Sequence, residues 1–207
     1  MIPQPQRVRI DGPVGALEAV VEDPGTPGEL CGIVCHPHPQ FGGTMDNKVV
    51  TTLARALHEC GVPTVRFNYR AVGASEGSYD EGNGETDDAV AAAGFARQHF
   101  ARRTLVVAGF SFGGMIALRV AVRVGAGRLI TVAPAIQRIG HNGSMPACPW
   151  LIIQGDADEV VAPAGVLAWA ASLKPPPHVV VAAGVGHFFH GRLAELKDAV
   201  IAEIRNG

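Results

Sequence analysis

Nowhere in the 207 residues do more than two basic side chains stand together, and Arg102-Arg103 is the longest such run. The formal net charge is −2. Neither feature provides the positive surface that nucleic acids or anionic membranes require, so neither partner is expected. No apolar run approaches the roughly 20 residues that cross a bilayer. The opening Met1-Ile2-Pro3-Gln4-Pro5-Gln6-Arg7 lacks a basic start followed by an apolar core, so a secretory leader is not expected. Cysteine is sparse: Cys31, Cys35, Cys60 and Cys148 include no C-x-x-C pair. They are expected to be free, buried thiols in a reducing cytoplasm. Cys31 and Cys35 lie four apart on a probable strand and would share a face; a disulfide or zinc pair there is the less favoured reading. There is no internal repeat and no low-complexity tract.

What is present is an ordinary globular composition. Apolar residues make up 47% and charged residues 17%, enough for one well-buried domain over residues 1–207. The 26 glycines and 15 prolines are dispersed, which points to many turns rather than disorder. Arg7–Ile10 and Ala16–Val21 alternate apolar and polar residues around Asp11-Gly12-Pro13, predicting an antiparallel hairpin at a sheet edge. Short apolar runs at Cys31–Cys35, Val62–Phe67, Thr104–Ala108, Arg128–Val132, Trp150–Ile153 and Val179–Val181 predict strands. Helical segments fall between them. Asp46 or Asn47 caps one that runs to Cys60, and Thr86 and Asp87 open another to about His99. A third follows residue 111 to about Val124, a fourth spans about Val166–Leu173, and a fifth Leu193–Ile204. Strand alternating with helix implies an α/β fold: a mostly parallel twisted sheet with helices on both faces.

The most informative stretch is Gly109-Phe110-Ser111-Phe112-Gly113. It lies between the strand Leu105-Val106-Val107-Ala108 and a helix. A G-x-S-x-G in that context predicts a nucleophile elbow. The turn lifts Ser111 above the sheet edge and crowds the backbone around it, which glycine tolerates for want of a Cβ. The amides at the helix start would favour a developing anion at that point.

A serine hydroxyl needs a base to take its proton and an acid to orient the base. In a parallel sheet all three must come from loops at the carboxyl ends of strands. The base should follow the last strand, where His187 comes after two glycines in Gly184-Val185-Gly186; His190 is the competitor. The acid should precede it, and no aspartate or glutamate occurs between Ser111 and Asp156. Asp156, Asp158 and Glu159 are the candidates, and Asp158 is favoured because it stands at the far side of its turn. An oxyanion hole needs two amide donors. The Phe112 N–H is one. The other should come from His36-Pro37-His38-Pro39-Gln40-Phe41-Gly42-Gly43, where the two prolines have no N–H. His38 is the best-placed donor, with Gln40 second. The imidazoles of His36 and His38 are expected to stiffen the loop; no metal and no cofactor is expected.

The stretches His36-Pro37-His38-Pro39…Gly42-Gly43-Thr44-Met45-Asp46-Asn47-Lys48 and Arg66-Phe67-Asn68-Tyr69-Arg70-Ala71-Val72-Gly73-Ala74-Ser75-Glu76-Gly77 carry a resemblance. Gly109–Gly114, Gly155-Asp156-Ala157-Asp158 and Gly186-His187-Phe188-Phe189 complete it. Together they resemble the α/β-hydrolases, and more narrowly their small, lidless bacterial serine hydrolases. The resemblance implies the α/β-hydrolase fold and a triad of Ser111, Asp158 and His187. Arg70 is expected to pair with Glu76, Asp80 or a neighbouring loop. Ala71 stands where a glycine is common in that segment.

Ala133–Pro149 is too short to hold a folded cap, so an open, shallow site for modest-sized acyl groups is expected. Phe41, Phe110, Phe112, Phe188 and Phe189 are candidates to line it or simply to pack in the core. The leading expectation is a serine carboxylesterase with a small-molecule ester or thioester substrate, working through an acyl-enzyme. Thioesterase, dienelactone-hydrolase-like and acyl-transfer chemistry would use the same triad. A non-enzymatic binding module is the reading from another class. Monomer and dimer both remain open.

Overall fold

The computed structural model describes residues 4–138 and 144–206. Met1, Ile2 and Pro3, read above for a leader, and residues 139–143 of the connection Ala133–Pro149 lie outside the described residues. Eight strands form one sheet: β1 (Gln6–Gly12), β2 (Gly15–Glu22), β3 (Leu30–Cys35), β4 (Thr64–Phe67), β5 (Thr104–Phe110), β6 (Arg128–Val132), β7 (Trp150–Gly155) and β8 (His178–Ala182). Their spatial order is β1-β2-β4-β3-β5-β6-β7-β8. The first hairpin and the β2–β4 pair are antiparallel, and every later pair is parallel.

The parallel strands are near-continuous apolar runs because both faces of the sheet are covered. The helices are α1 (Lys48–Glu59), α2 (Asn83–His99), α3 (Phe112–Val124), α4 (Pro163–Ser172) and α5 (Leu193–Asn206). Successive side chains on a strand point to opposite faces. Ile33 and Cys35 on β3, with Leu105 and Val107 on β5, therefore join the core layer of α2, α3 and α4. Val34, Val106 and Ala108 join the layer of α1 and α5 instead. No described helix is long and apolar enough to cross a membrane.

Three details depart from the sequence expectations. Helix α2 begins at Asn83, three residues before Thr86. The Glu85 carboxylate accepts the amides of Gly82 (2.7 Å) and Asp80 (2.9 Å), so the first turn folds back on the chain that leads into the helix. Arg70 pairs with neither Glu76 nor Asp80. Its guanidinium meets the buried Asp88 carboxylate of α2 through two bonds of 3.0 and 2.8 Å. All four cysteines are free, but only Cys31 and Cys35 are fully buried; Cys60 and Cys148 are half-buried. Burial pushes the Cys31 thiol up to about 11 and the Cys35 thiol to about 12, so both stay protonated and unreactive.

Candidate active site

Six described non-glycine residues have positive φ, and five of them lie in loops beyond the carboxyl ends of strands. Ala71 and Glu81 follow β4, Ser111 follows β5, Ala133 follows β6 and Phe189 follows β8. Each such residue costs on the order of 1 kcal/mol. Strain concentrated along one edge of the sheet marks that edge as the place to look for chemistry.

Ser111 sits at φ 55°, ψ −116°, between β5 and α3. A Cβ on Gly109 would overlap the Gly113 carbonyl, and one on Gly113 would overlap the carbonyls of Cys35 and His36. The turn thus fits only with glycine at both places. Ser111 is half-buried, and its amide donates to the Val132 carbonyl at 2.9 Å, which ties the turn to β6. The Phe112 N–H is the first amide of α3 and has no acceptor within the helix.

The loop after β8 brings His187 over this turn. Its Nε2 lies 3.1 Å from Ser111 Oγ, and its Nδ1 lies 2.8 Å from Asp158 Oδ2. The arrangement places Nδ1–H on the carboxylate and leaves Nε2 to accept the serine proton. Asp158 Oδ2 also accepts Gln154 Nε2 at 3.0 Å. Its Oδ1 accepts the amides of Val160 (2.8 Å) and Val161 (2.7 Å). Burial alone would raise this carboxyl. The bonds from His187, Val161 and Val160 outweigh that and hold it below the usual carboxylate range.

The other acidic candidates have different work. Asp156 is exposed and accepts the Gly184 amide at 2.6 Å, pinning the turn that precedes His187. Glu159 accepts the His187 backbone amide at 3.2 Å. His190 is exposed and its ring lies tilted beside that of Phe188, with centroids 5.8 Å apart. Gln154 was not anticipated: it sits near the end of an apolar strand, and only its fold neighbours reveal a polar role.

Across from the elbow, His36 is fully buried. Its Nδ1 donates to the Pro37 carbonyl at 2.7 Å, and its Nε2 accepts the Tyr69 amide at 3.2 Å. The Pro37–His38 peptide is trans. Fixing the Pro37 carbonyl therefore also fixes the direction of the His38 N–H, which points the opposite way in the same plane. His38 Nδ1 accepts the Gln40 amide at 3.3 Å, and its Nε2 faces the Tyr79 hydroxyl at 3.2 Å. The two imidazoles thus bind different partners instead of converging as a metal pair. Of the five phenylalanines considered as lining candidates, Phe110, Phe112 and Phe189 are core residues, whereas Phe41 is 80% exposed and Phe188 41%.

Burial drives the His36 imidazole down to about 3. A histidine held neutral in the fold but free to charge when unfolded gives the unfolded chain the extra proton between pH 6.5 and about 3. Stability is therefore complete above pH 6.5 and falls with pH by up to about 1.4 kcal/mol per unit. Asp158, with its depressed carboxyl, adds a further loss only below about pH 4. Urea midpoints measured from pH 7 to pH 4 should show this slope, and His36→Gln should flatten it. An unchanged slope in that variant would remove His36 as its source.

Residues 37–134 match the family described as the alpha/beta hydrolase fold. XC6422 from Xanthomonas campestris, described as an α/β serine hydrolase without lid, is 42% identical with a TM-score of 0.91, over 100% of this chain and 96% of that one. An α/β serine hydrolase homologue from Coxiella burnetii is 44% identical with a TM-score of 0.91, over 100% and 99% of the two chains. The protein RP471 of Rickettsia prowazekii is 30% identical over 205 residues, covering 94% of this chain and 86% of its own. The eight-stranded sheet, its strand order and these matches agree: the chain belongs to the α/β-hydrolase superfamily.

Proposed function

We propose that this hydrolase is a serine carboxylesterase in which Ser111, His187 and Asp158 act as nucleophile, base and orienting acid. The carrying observation is the continuous relay of 3.1 Å from Ser111 Oγ to His187 Nε2 and 2.8 Å from His187 Nδ1 to Asp158 Oδ2. His187 Nε2 takes the Ser111 proton as Oγ attacks the ester carbonyl carbon. The carbonyl oxygen becomes an anion between the amides of Phe112 and His38. Collapse expels the alcohol, which takes the proton back from Nε2, and leaves an ester on Ser111. Water then enters, gives its proton to Nε2 and repeats the sequence, releasing the carboxylic acid. Asp158 stays ionised throughout and stabilises the imidazolium that forms in each half-reaction.

The amides are aimed before any substrate arrives: Phe112 by the start of α3, His38 by the His36 clamp on its peptide. Preorganised donors of this kind stabilise a forming oxyanion by about 3 kcal/mol each. The decisive experiment is intact mass after exposure to a fluorophosphonate. One adduct is expected on the wild type and none on Ser111→Ala. Absence of an adduct on the wild type would sink the esterase reading.

A further inference from the structure

Beside the oxyanion donors lies a cleft of about 400 Å³ lined by His38, Gln40, Phe41, Tyr79, Glu81, Phe112 and Met115. Phe41 and Glu81 are two of its exposed residues. Phe41 leaves four-fifths of its surface in solvent, although its ring rests 4.7 Å from that of His38. Glu81 is exposed, adopts φ 52° and forms no salt bridge among the described residues. Its position is held firmly all the same. The next residue, Gly82, donates its amide to Glu85 at 2.7 Å and accepts Arg119 at 3.2 Å on its carbonyl. The Arg119 guanidinium is thereby engaged on the Gly82 carbonyl and is not part of the cleft lining.

Beside Gln40 and Met115, the remaining lining residues carry rings. His38 sits at their centre, with Phe112 at 4.8 Å and Tyr79 at 5.4 Å, and Tyr79 lies 6.5 Å from Phe112. A carboxylate displayed at the rim of an aromatic recess attracts one chemical class above others: an alkylated ammonium. Ring faces favour the cation through their quadrupole, and the carboxylate supplies the opposite charge. The polyanionic tail of a nucleotide-linked thioester would meet Glu81 here with no cation in the lining to receive it.

From this juxtaposition we infer that the cleft selects esters carrying an ammonium group, with the Phe41 and Tyr79 rings and the Glu81 carboxylate as the recognition elements. The inference rests on the esterase reading for the position of the scissile bond, but its test does not need turnover. Two matched pairs of esters differ only in a quaternary nitrogen replaced by carbon. Butyrylcholine against 3,3-dimethylbutyl butanoate places the cation in the alcohol. Ethyl 4-(trimethylammonio)butanoate against ethyl 5,5-dimethylhexanoate places it in the acyl group.

Binding of all four to Ser111→Ala is measured by calorimetry, and turnover of all four by the wild type. The cationic member of at least one pair is expected to bind about tenfold more tightly than its carbon isostere. In Ser111→Ala/Glu81→Gln that ratio should shrink toward one, and Phe41→Ala should reduce it in part. Equal binding within both pairs, or a ratio that Glu81→Gln leaves unmoved, overturns the inference even if every ester is hydrolysed. A selective ratio with no turnover of any ester sustains it and overturns the esterase reading instead.

Discussion

Ser111→Ala, His187→Ala and the double variant should lower kcat for a short-chain ester by the same factor, about 10⁶. Independent contributions would multiply, and the double variant would then be slower than either single one. The geometry argues against that. The hydroxyl is inert until Nε2, 3.1 Å away, takes its proton, and the imidazole has nothing to activate once Oγ is gone. What should survive in all three variants is binding and the proposed oxyanion donors, expected to leave a residual rate about 10³-fold above water. Asp158→Asn should cost less, about 10⁴-fold. An amide there turns an N–H toward His187 and favours the tautomer that cannot accept the serine proton. Initial rates for the three variants, with circular dichroism to show that each is folded, decide the matter. A double variant slower than both singles by a further large factor would show that Ser111 and His187 act separately and reject their pairing.

The parts of this site legible in the sequence are those that local chemistry dictates. A buried parallel strand must be apolar on both faces, so Leu105–Ala108 and Trp150–Ile153 announced themselves as runs. The elbow needs glycine at 109 and 113 for reasons contained within five residues. Chain order and the reach of a turn were enough to favour Asp158 over Asp156, and His187 over His190. What stayed hidden depends on partners distant in the chain. Helix α2 starts within a glycine-rich stretch that looks like loop, because Glu85 folds back on the amides before it. Gln154 lies next to last in an apolar strand and gives no sign that its amide will meet Asp158. The cleft joins the loop after β3 to the loop after β4 and to α3, and no periodicity within either loop brings Phe41, Tyr79 and Met115 together. Ala71, flagged only as a departure from glycine, sits at φ 63° and accepts the strain of the left-handed region.

Breaking the Arg70–Asp88 pair should be the costliest change to stability outside the elbow. Asp88 is completely buried, Arg70 nearly so, and three donors converge on the carboxylate: the Arg70 amide at 2.9 Å and two guanidinium nitrogens. Asp88→Ala leaves a guanidinium in the interior with no counter-charge, which costs about 3–5 kcal/mol. For a chain of this size that lowers Tm by roughly 10 °C. Removing both charges is a different experiment. Arg70→Met with Asp88→Asn leaves no unpaired ion and keeps a side-chain oxygen to accept the Arg70 amide, and should recover much of the loss. Recovery need not extend to activity. The segment between Arg70 and α2 carries Tyr79 and Glu81, and the pair anchors that wall of the cleft to the helix behind it. The double variant is therefore expected to regain Tm while its KM for esters stays raised, with kcat less affected, because Ser111 and His187 sit on β5 and β8 loops that the pair does not touch. Thermal melts and steady-state kinetics on the two variants separate these effects. A single variant melting within about 2 °C of the wild type, the shift of a change under about 1 kcal/mol, would mean that the buried pair contributes little to the fold.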